Sequence, residues 1–503
     1  MKNSIKRILS ALLALICLVS LTSCAGKKNA GTPSGNSSDL ALPLKEANVP
    51  SAPYGDKKDS EVYRAGIYYA SGDNSVTVPS TRVLWLNSES AVERRLAEEL
   101  MKVPGGDAVS VVPRGSRIAS VEAAGKIVTV NVLPASSMSD LEIKTLTEAM
   151  SKTLFGLDGV EGVNLLLNGR AASVFGLPIG LVGKSTDISA LYDESVHFAE
   201  SESASVMRRA VGYFPSTDKS CVIPAETTLA LNPADPAEAV LRALGTAPGA
   251  EAVLAGVPAC ESMFEKKSHY EFTPTGDRIL YVHLTSSAYT ALVDSGLDRN
   301  IYLASIVLTL TSFLNDTDGV TITIGGKTIT EVPLSNGTTR TFPDGIMKRD
   351  DFTHYIGKNI TLYFADENGM LRPETKALPL NSANSPRARI CALMAGPKDA
   401  SLNAVFPVGA KPSDILGVQL SGSVASVNFS SNVYRLAQSF TQAEEELFVY
   451  SLVNTLSELR GISGVRLYFE GETGSVLTHK VYMEGVLLKN PGRIQLTDTS
   501  ASN

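Results

Sequence analysis

The hydrophobic and polar positions of this chain follow one pattern written three times. Three stretches align without a gap over 24 residues: RAGIYYASGDNSVTVPSTRVLWLN from Arg64, RAVGYFPSTDKSCVIPAETTLALN from Arg209, and KNITLYFADENGMLRPETKALPLN from Lys358. Each starts on a basic residue, carries an aromatic at Tyr69, Phe214 or Tyr363, and has a proline at Pro79, Pro224 or Pro373. Each closes on Leu-Asn, at Leu86-Asn87, Leu231-Asn232 and Leu380-Asn381. The copies start 145 and then 149 residues apart. That period is too long for a solenoid and fits whole domains in tandem.

The remainder of each copy corresponds as well. An amphipathic helix is predicted over Ala91–Val103, Ala237–Ala247 and Pro386–Ala395, with N-caps among the small polar residues around Asn87, Asn232 and Asn381. A turn follows at Val112-Pro113-Arg114-Gly115, Val257-Pro258 and Phe406-Pro407-Val408-Gly409. Two alternating strands come next, the second being Ile127–Val132, Ile279–Leu284 and Val424–Phe429. A second helix then leads to Gly162-Val163, Gly319-Val320 and Gly464-Val465. Leu146, Met150 and Leu157 lie close to one face of it, as do Leu303, Val307 and Leu314, and Phe448, Leu452 and Leu459; they predict a core stripe. The final strand (Val163–Leu167, Val320–Ile324, Val465–Phe469) ends in Gly169, Gly325 and Gly471. The expectation is an α+β chain of three tandem small α/β units, each with two helices packed on a mixed β-sheet.

Through ITLYFADENGMLRPETKALPLN, ALMAGP, VFPVGA, SVNFS and EEELFVYSLVNTLSELRGISGVRLYFEG, the third copy resembles a GerMN domain over about residues 358–490. This is the module of GerM-type sporulation and spore-germination lipoproteins. The first copy is similar through GIYYAS, VVPRG and VTVNV. The second diverges most, with His283 where the others have Asn131 and Asn428. The resemblance implies a fold related to ring-building modules of secretion-type assemblies, and extracytoplasmic scaffolding rather than chemistry.

The N-terminus places Lys2, Lys6 and Arg7 before an apolar run from Ile8 to Leu21, the order of a secretory signal. The run is short for a membrane span, which needs roughly 20 residues. Leu21-Thr22-Ser23-Cys24 resembles the lipobox of bacterial lipoproteins. That resemblance implies cleavage before Cys24, a diacylated Cys24 as the mature N-terminus, and residence on the extracytoplasmic face of the cell membrane. Two acyl chains suffice for lasting anchorage. The expected division is a signal peptide at 1–23, a flexible polar tether at 24–60, GerMN-like domains at 61–180, 206–349 and 355–492, a linker at 181–205 and a tail at 493–503.

Composition narrows the chemistry. Removing the three signal cations takes the net charge from −7 to about −10, which argues against nucleic acid as a partner. Cys221, Cys260 and Cys391 are too sparse for a disulfide framework; Cys221 and Cys260 either pair or serve as small buried apolar residues. The five histidines have no zinc-ligand spacing, and neither a nucleophile elbow nor a complete phosphate loop occurs; Gly326-Lys327-Thr328 reads as a hairpin. Glu444-Glu445-Glu446 reads as a solvated first helical turn, and Asp366-Glu367-Asn368-Gly369 as a tight hairpin turn. No catalytic set, cofactor or metal site is expected. The pairs Tyr68-Tyr69, Tyr213-Phe214 and Tyr363-Phe364 either stack a sugar or pack in the core, and Trp85, the sole tryptophan, is the candidate partner contact. The expected role is a non-enzymatic membrane-tethered scaffold for envelope or sporulation proteins, with peptidoglycan-fragment binding as the rival.

Overall fold

A computed structural model describes residues 60–495, apart from 74–75, 88–90, 103, 105–107, 202–205, 233, 249–253, 260–261, 335–336, 474–476 and 478–480. In the first copy, β1 (Ser60–Ala70) and β2 (Thr77–Asn87) pair as a separate antiparallel hairpin. After α1 (Val92–Leu100), β3 (Arg117–Ala124) runs antiparallel to β4 (Ile127–Leu133). Then α2 (Asp140–Leu154) carries the chain over to β5 (Gly162–Leu167), parallel to β4 with Ile127 opposite Gly162. A parallel pair needs such a crossover. The short strand Arg170–Ala171 pairs with the end of β5 and β6 (Leu181–Gly183) with its start, which completes a five-stranded mixed sheet, and α3 (Ile188–Ser201) follows.

The second copy repeats this as hairpin β7 (Val206–Pro215) and β8 (Val222–Leu231), α4 (Pro236–Leu244), β9 (Phe264–Phe272) and β10 (Arg278–Leu284). Its crossover has two helices, α5 (Ser286–Ser295) and α6 (Arg299–Phe313), before β11 (Gly319–Ile324) and β12 (Ile346–Met347). The third copy has hairpin β13 (Gly357–Ala365) and β14 (Leu371–Pro379), α7 (Pro386–Met394), β15 (Ile415–Ser421) and β16 (Val424–Phe429). It ends with α8 (Ser431–Ala437), α9 (Gln442–Ser457), β17 (Gly464–Phe469) and β18 (Leu487–Leu488). All nine positions of the predicted core stripe are buried. The copies keep separate cores, but Ile127 and Leu181 of the first copy and Ala377 of the third lie in the second copy's core.

One hydrogen bond ties hairpin to crossover helix in every copy. The backbone N–H groups of Tyr68, Tyr213 and Tyr363 donate to Thr153, Thr309 and Thr455 Oγ1, at 3.1, 3.0 and 3.2 Å. This bond corrects the gapless alignment. It makes Tyr363 the counterpart of Tyr68 and Tyr213, and Phe364 that of Tyr69 and Phe214. The strand register agrees: Pro79, Pro224 and Pro373 stand opposite Tyr68, Tyr213 and Tyr363. The third hairpin turn, 366–370, is one residue shorter than 71–76 and 216–221. A slip of one residue moves every side chain of a strand to its other face, so the true counterparts of Lys358 are Tyr63 and Arg208, opposite Leu378, Leu84 and Leu229.

Other expectations change in the fold. The caps are Asp235 and Ser385, which accept the N–H groups of Glu238 and Ala388; Ala91 begins α1 without a side-chain cap. Asn381 sits inside a four-residue helical turn instead. Residues 181–205, expected as a linker, hold β6 and α3, because β5 needs an antiparallel partner at its start. The first two copies are therefore joined by folded chain and not by a linker. A side chain at Gly180 would strike the Arg209 carbonyl, and one at Gly357 would strike Cys221 Sγ and the Leu378 carbonyl. Helix α6 is buried at every residue from Asn300 to Phe313 instead of along one stripe, as expected for a helix covered on all sides.

Candidate functional site

The residues singled out in the sequence do not converge on one place. Cys24 and Cys260 lie outside the described residues, and Trp85 is described only as backbone in β2, opposite Val62. Tyr69, Tyr213, Phe214 and Phe364 are fully buried and Tyr363 nearly so, which favours core packing for these five, whereas Tyr68 is half-buried with Lys152 Nζ over its ring. Gly325 and Gly326 turn β11 into Lys327–Thr328 as a hairpin. In the 366–369 turn, Asp366 Oδ1 accepts the N–H groups of Asn368 and Met370. Glu444 forms a capping box with Thr441. Glu445, read as solvated, is buried and accepts the Val481 N–H. Cys221 is a buried free thiol whose pKa burial pushes up.

The repeated polar residues hold the fold. Asn131 and Asn428 Oδ1 accept the N–H groups of Gly169 and Gly471, at 2.8 and 2.9 Å, and so pin the turn after the final strand. His283 takes this place in the second copy, its Nδ1 2.8 Å from Thr323 Oγ1 and its ring stacked on His269 at 5.3 Å. Burial, then Lys266 and His269, lower its pKa. Among the described residues no group of three or more His, Cys, Asp or Glu could hold a metal, and no helix is long and apolar enough to cross a membrane.

Chemistry that the sequence pattern did not reveal lies between copies. The joint of the first and second copies buries Arg349, only 5% exposed. Its guanidinium donates to Glu122 Oε2 at 2.6 Å, to Tyr213 Oη at 3.0 Å and to Ser312 Oγ at 2.5 Å. Burial opposes its charge, but Glu122 and Tyr213 outweigh that and push the pKa up. Nearby, Arg208 pairs with Glu194 of α3 at 2.8 Å and bonds the Pro178 carbonyl, and Arg170 pairs with Asp318.

The first and third copies meet around a cleft of about 610 Å³. Its walls come from α1, β3, β13, α7, β15 and the end of α9. Arg460 and Glu93 close one side as an ion pair at 3.3 Å. Glu458, also on the wall, is held by Lys489 Nζ and Tyr363 Oη, at 2.6 and 2.7 Å. Two further cations face the space. Arg389 is 3% exposed, its Nε bonds the Ala383 carbonyl at 2.9 Å, and its Nη1 is buried without a hydrogen-bond partner. Lys358 has no hydrogen bond or ion pair among the described residues. Burial, then Arg389, lower its pKa to about 8, and burial lowers that of Arg389 to about 10.

Comparison with known proteins follows the three copies. Residues 66–173, 211–330 and 361–475 each match the family described as Germane, sporulation and spore germination. The tandem GerMN domains of the sporulation protein GerM from Bacillus subtilis are 16% identical, over 57% of this chain and 98% of that one, with a TM-score of 0.23. The first GerMN domain of that protein is 16% identical over 25% of this chain and 99% of its own, with a TM-score of 0.20. A putative lipoprotein from Clostridium perfringens is 14% identical over 26% and 93%, with a TM-score of 0.18. No curated protein matches. With three matching stretches that together span more than half of its length, the chain belongs to the Germane family of sporulation and spore germination and carries the family's unit three times.

Proposed function

We propose that this chain is a non-enzymatic extracytoplasmic lipoprotein, held at the cell membrane through lipid on Cys24, that acts as a scaffold or binding protein in sporulation, spore germination or envelope assembly. The observation that carries this reading is what the repeated polar residues do. Thr153, Thr309 and Thr455 tie hairpin to helix, and Asn131 and Asn428 pin turns. A unit whose repeated polar groups all serve its own fold offers surface to partners rather than a reaction centre. Its partners would be envelope or sporulation proteins, with Trp85 on the first hairpin as the contact residue.

Metabolic fatty-acid labelling tests the anchor. The native chain should take up label and sediment with membranes, and Cys24→Ser should abolish both; label that persists in Cys24→Ser refutes it. Affinity capture from sporulating cells tests the scaffold, with recovery of a discrete envelope partner that Trp85→Ala weakens. Turnover of labelled cell wall by the purified protein would refute the non-enzymatic role.

A further inference from the structure

We propose that the cleft between the first and third copies binds a small oxyanion-bearing ligand, a carboxylate or phosphate, between Lys358 and Arg389. This goes beyond the scaffold reading and does not depend on it.

The charge inventory of the walls carries the argument. The two carboxylates facing the space are already engaged, Glu93 by Arg460 and Glu458 by Lys489 and Tyr363 Oη. Lys358 and Arg389 form no ion pair among the described residues, and feel Glu93 and Glu458 only at longer range. A buried guanidinium is expected to find acceptors and a counter-charge; Arg349 and Arg208 each meet a carboxylate, although Arg208 Nη2 is also left without a hydrogen bond. Arg389 meets one carbonyl through Nε, and its Nη1 meets nothing. An oxyanion would supply the missing acceptor to a planar fork that suits carboxylate and phosphate geometry, and a counter-charge to the ammonium beside it.

The surroundings favour the same charge. Helices α1 and α7 both present their first turns to the cleft, through Ala91 and Ser385–Pro386. Helix N-termini favour anions, and Ala91 gives α1 no side-chain cap, while the Glu93 carboxylate in its first turn is drawn off by Arg460. The volume of about 610 Å³ falls in the range of small-molecule sites. Apolar residues from both copies, Val121 and Ala123 facing Ile360 and Val418, give the body of a ligand something to pack on.

The test is calorimetric titration of the full mature chain with two probes, inorganic phosphate and the carboxylate sugar peptide N-acetylmuramoyl-L-alanyl-D-isoglutamine. Saturable binding of at least one probe is expected. Lys358→Met should weaken it about tenfold or more. Arg389→Gln should do the same, with its fold checked by circular dichroism. Arg372→Gln, at the exposed pair with Asp399, should leave it unchanged. Affinity should also fall as pH rises above about 8, where Lys358 loses its proton while Arg389, lowered only to about 10, keeps its own and Glu458, held low by Lys489 and Tyr363, stays ionised. Which probe binds tells phosphate from carboxylate. Binding that Lys358→Met leaves within about twofold, or no saturable binding of either probe up to about 10 mM, overturns the proposal.

Discussion

The joint between the first and second copies and the cleft between the first and third both bury an arginine, and they treat it in opposite ways. At the joint, Arg349 meets a carboxylate, a phenol and a hydroxyl from three different elements. At the cleft, Arg389 meets one carbonyl, with the ammonium of Lys358 close by. Removing a charge from water costs several kcal/mol unless good partners return it. The joint thus completes its electrostatics within the chain, whereas the cleft leaves them incomplete. Two junctions between copies of one unit make a closed contact and a receptive one, with arginines from different elements, a short turn for Arg349 and α7 for Arg389.

The largest effect should come from undoing the closed contact. Glu122→Gln leaves Arg349 buried beside a neutral amide, and such one-sided breaks cost about 3–5 kcal/mol. The denaturant midpoint should fall accordingly, and adding Arg349→Met should recover most of the loss. A change below about 1 kcal/mol in the single variant would mean that the joint is wetter than its geometry implies, and the contrast with the cleft would collapse.

How much of this was legible in the sequence depends on the range over which residues act. The alternating strands and the helix before each Gly-Val step follow from local periodicity, and Val424–Phe429 ends where the pattern does. The family itself was legible in the third copy's motifs. The hairpin equivalences were legible only to within one residue, because a shortened turn leaves the spacing of prolines intact while shifting the first strand. Glu122 and Arg349 stand 227 positions apart, and on its own strand Glu122 looks like any solvent-facing charge. Helix α6 carried a weak signal: between Ile301 and Phe313 it has no charged residue, and its polar positions are only Ser, Thr and the Tyr302 hydroxyl, small groups that a helix covered on all sides can bury. Lys358 was hidden by the alignment itself. Matched to Arg209 it is one of three basic starts; matched to Arg208 it stands out as the one cation without a Glu194.

A smaller effect, opposite in sign, should come from the cleft. Lys358→Met removes an unpaired cation and should stabilise the chain by about 1–3 kcal/mol at pH 7. The sign follows from the lowered pKa, about 8 in the folded chain against the usual 10.5. Between those values the unfolded chain binds more protons, so native stability rises with pH. Below about pH 8 the cost is present in full, and it fades as pH approaches 10.5. The advantage of Lys358→Met in urea unfolding should therefore be largest at pH 7 and shrink by pH 10. A constant advantage would point to simple repacking rather than relief of charge.

The smallest effect on stability should come from Arg460→Ala, and it bears most directly on how the cleft is poised. Arg460 is half exposed, so its pair with Glu93 is worth at most about 1 kcal/mol. Its removal acts instead on Lys358. Arg460 lowers the Lys358 pKa and Glu93 raises it, so the variant takes away a repulsion and releases a carboxylate in one step. Both changes favour the charged amine, and the Lys358 titration, followed by NMR of its Cε and Nζ, should move upward from about 8 while the unfolding midpoint hardly changes. An unmoved titration would mean that Glu93 remains held away from Lys358 by other contacts. The lowered pKa of Lys358 would then come from burial and Arg389 and not from Arg460 or its hold on the nearest carboxylate.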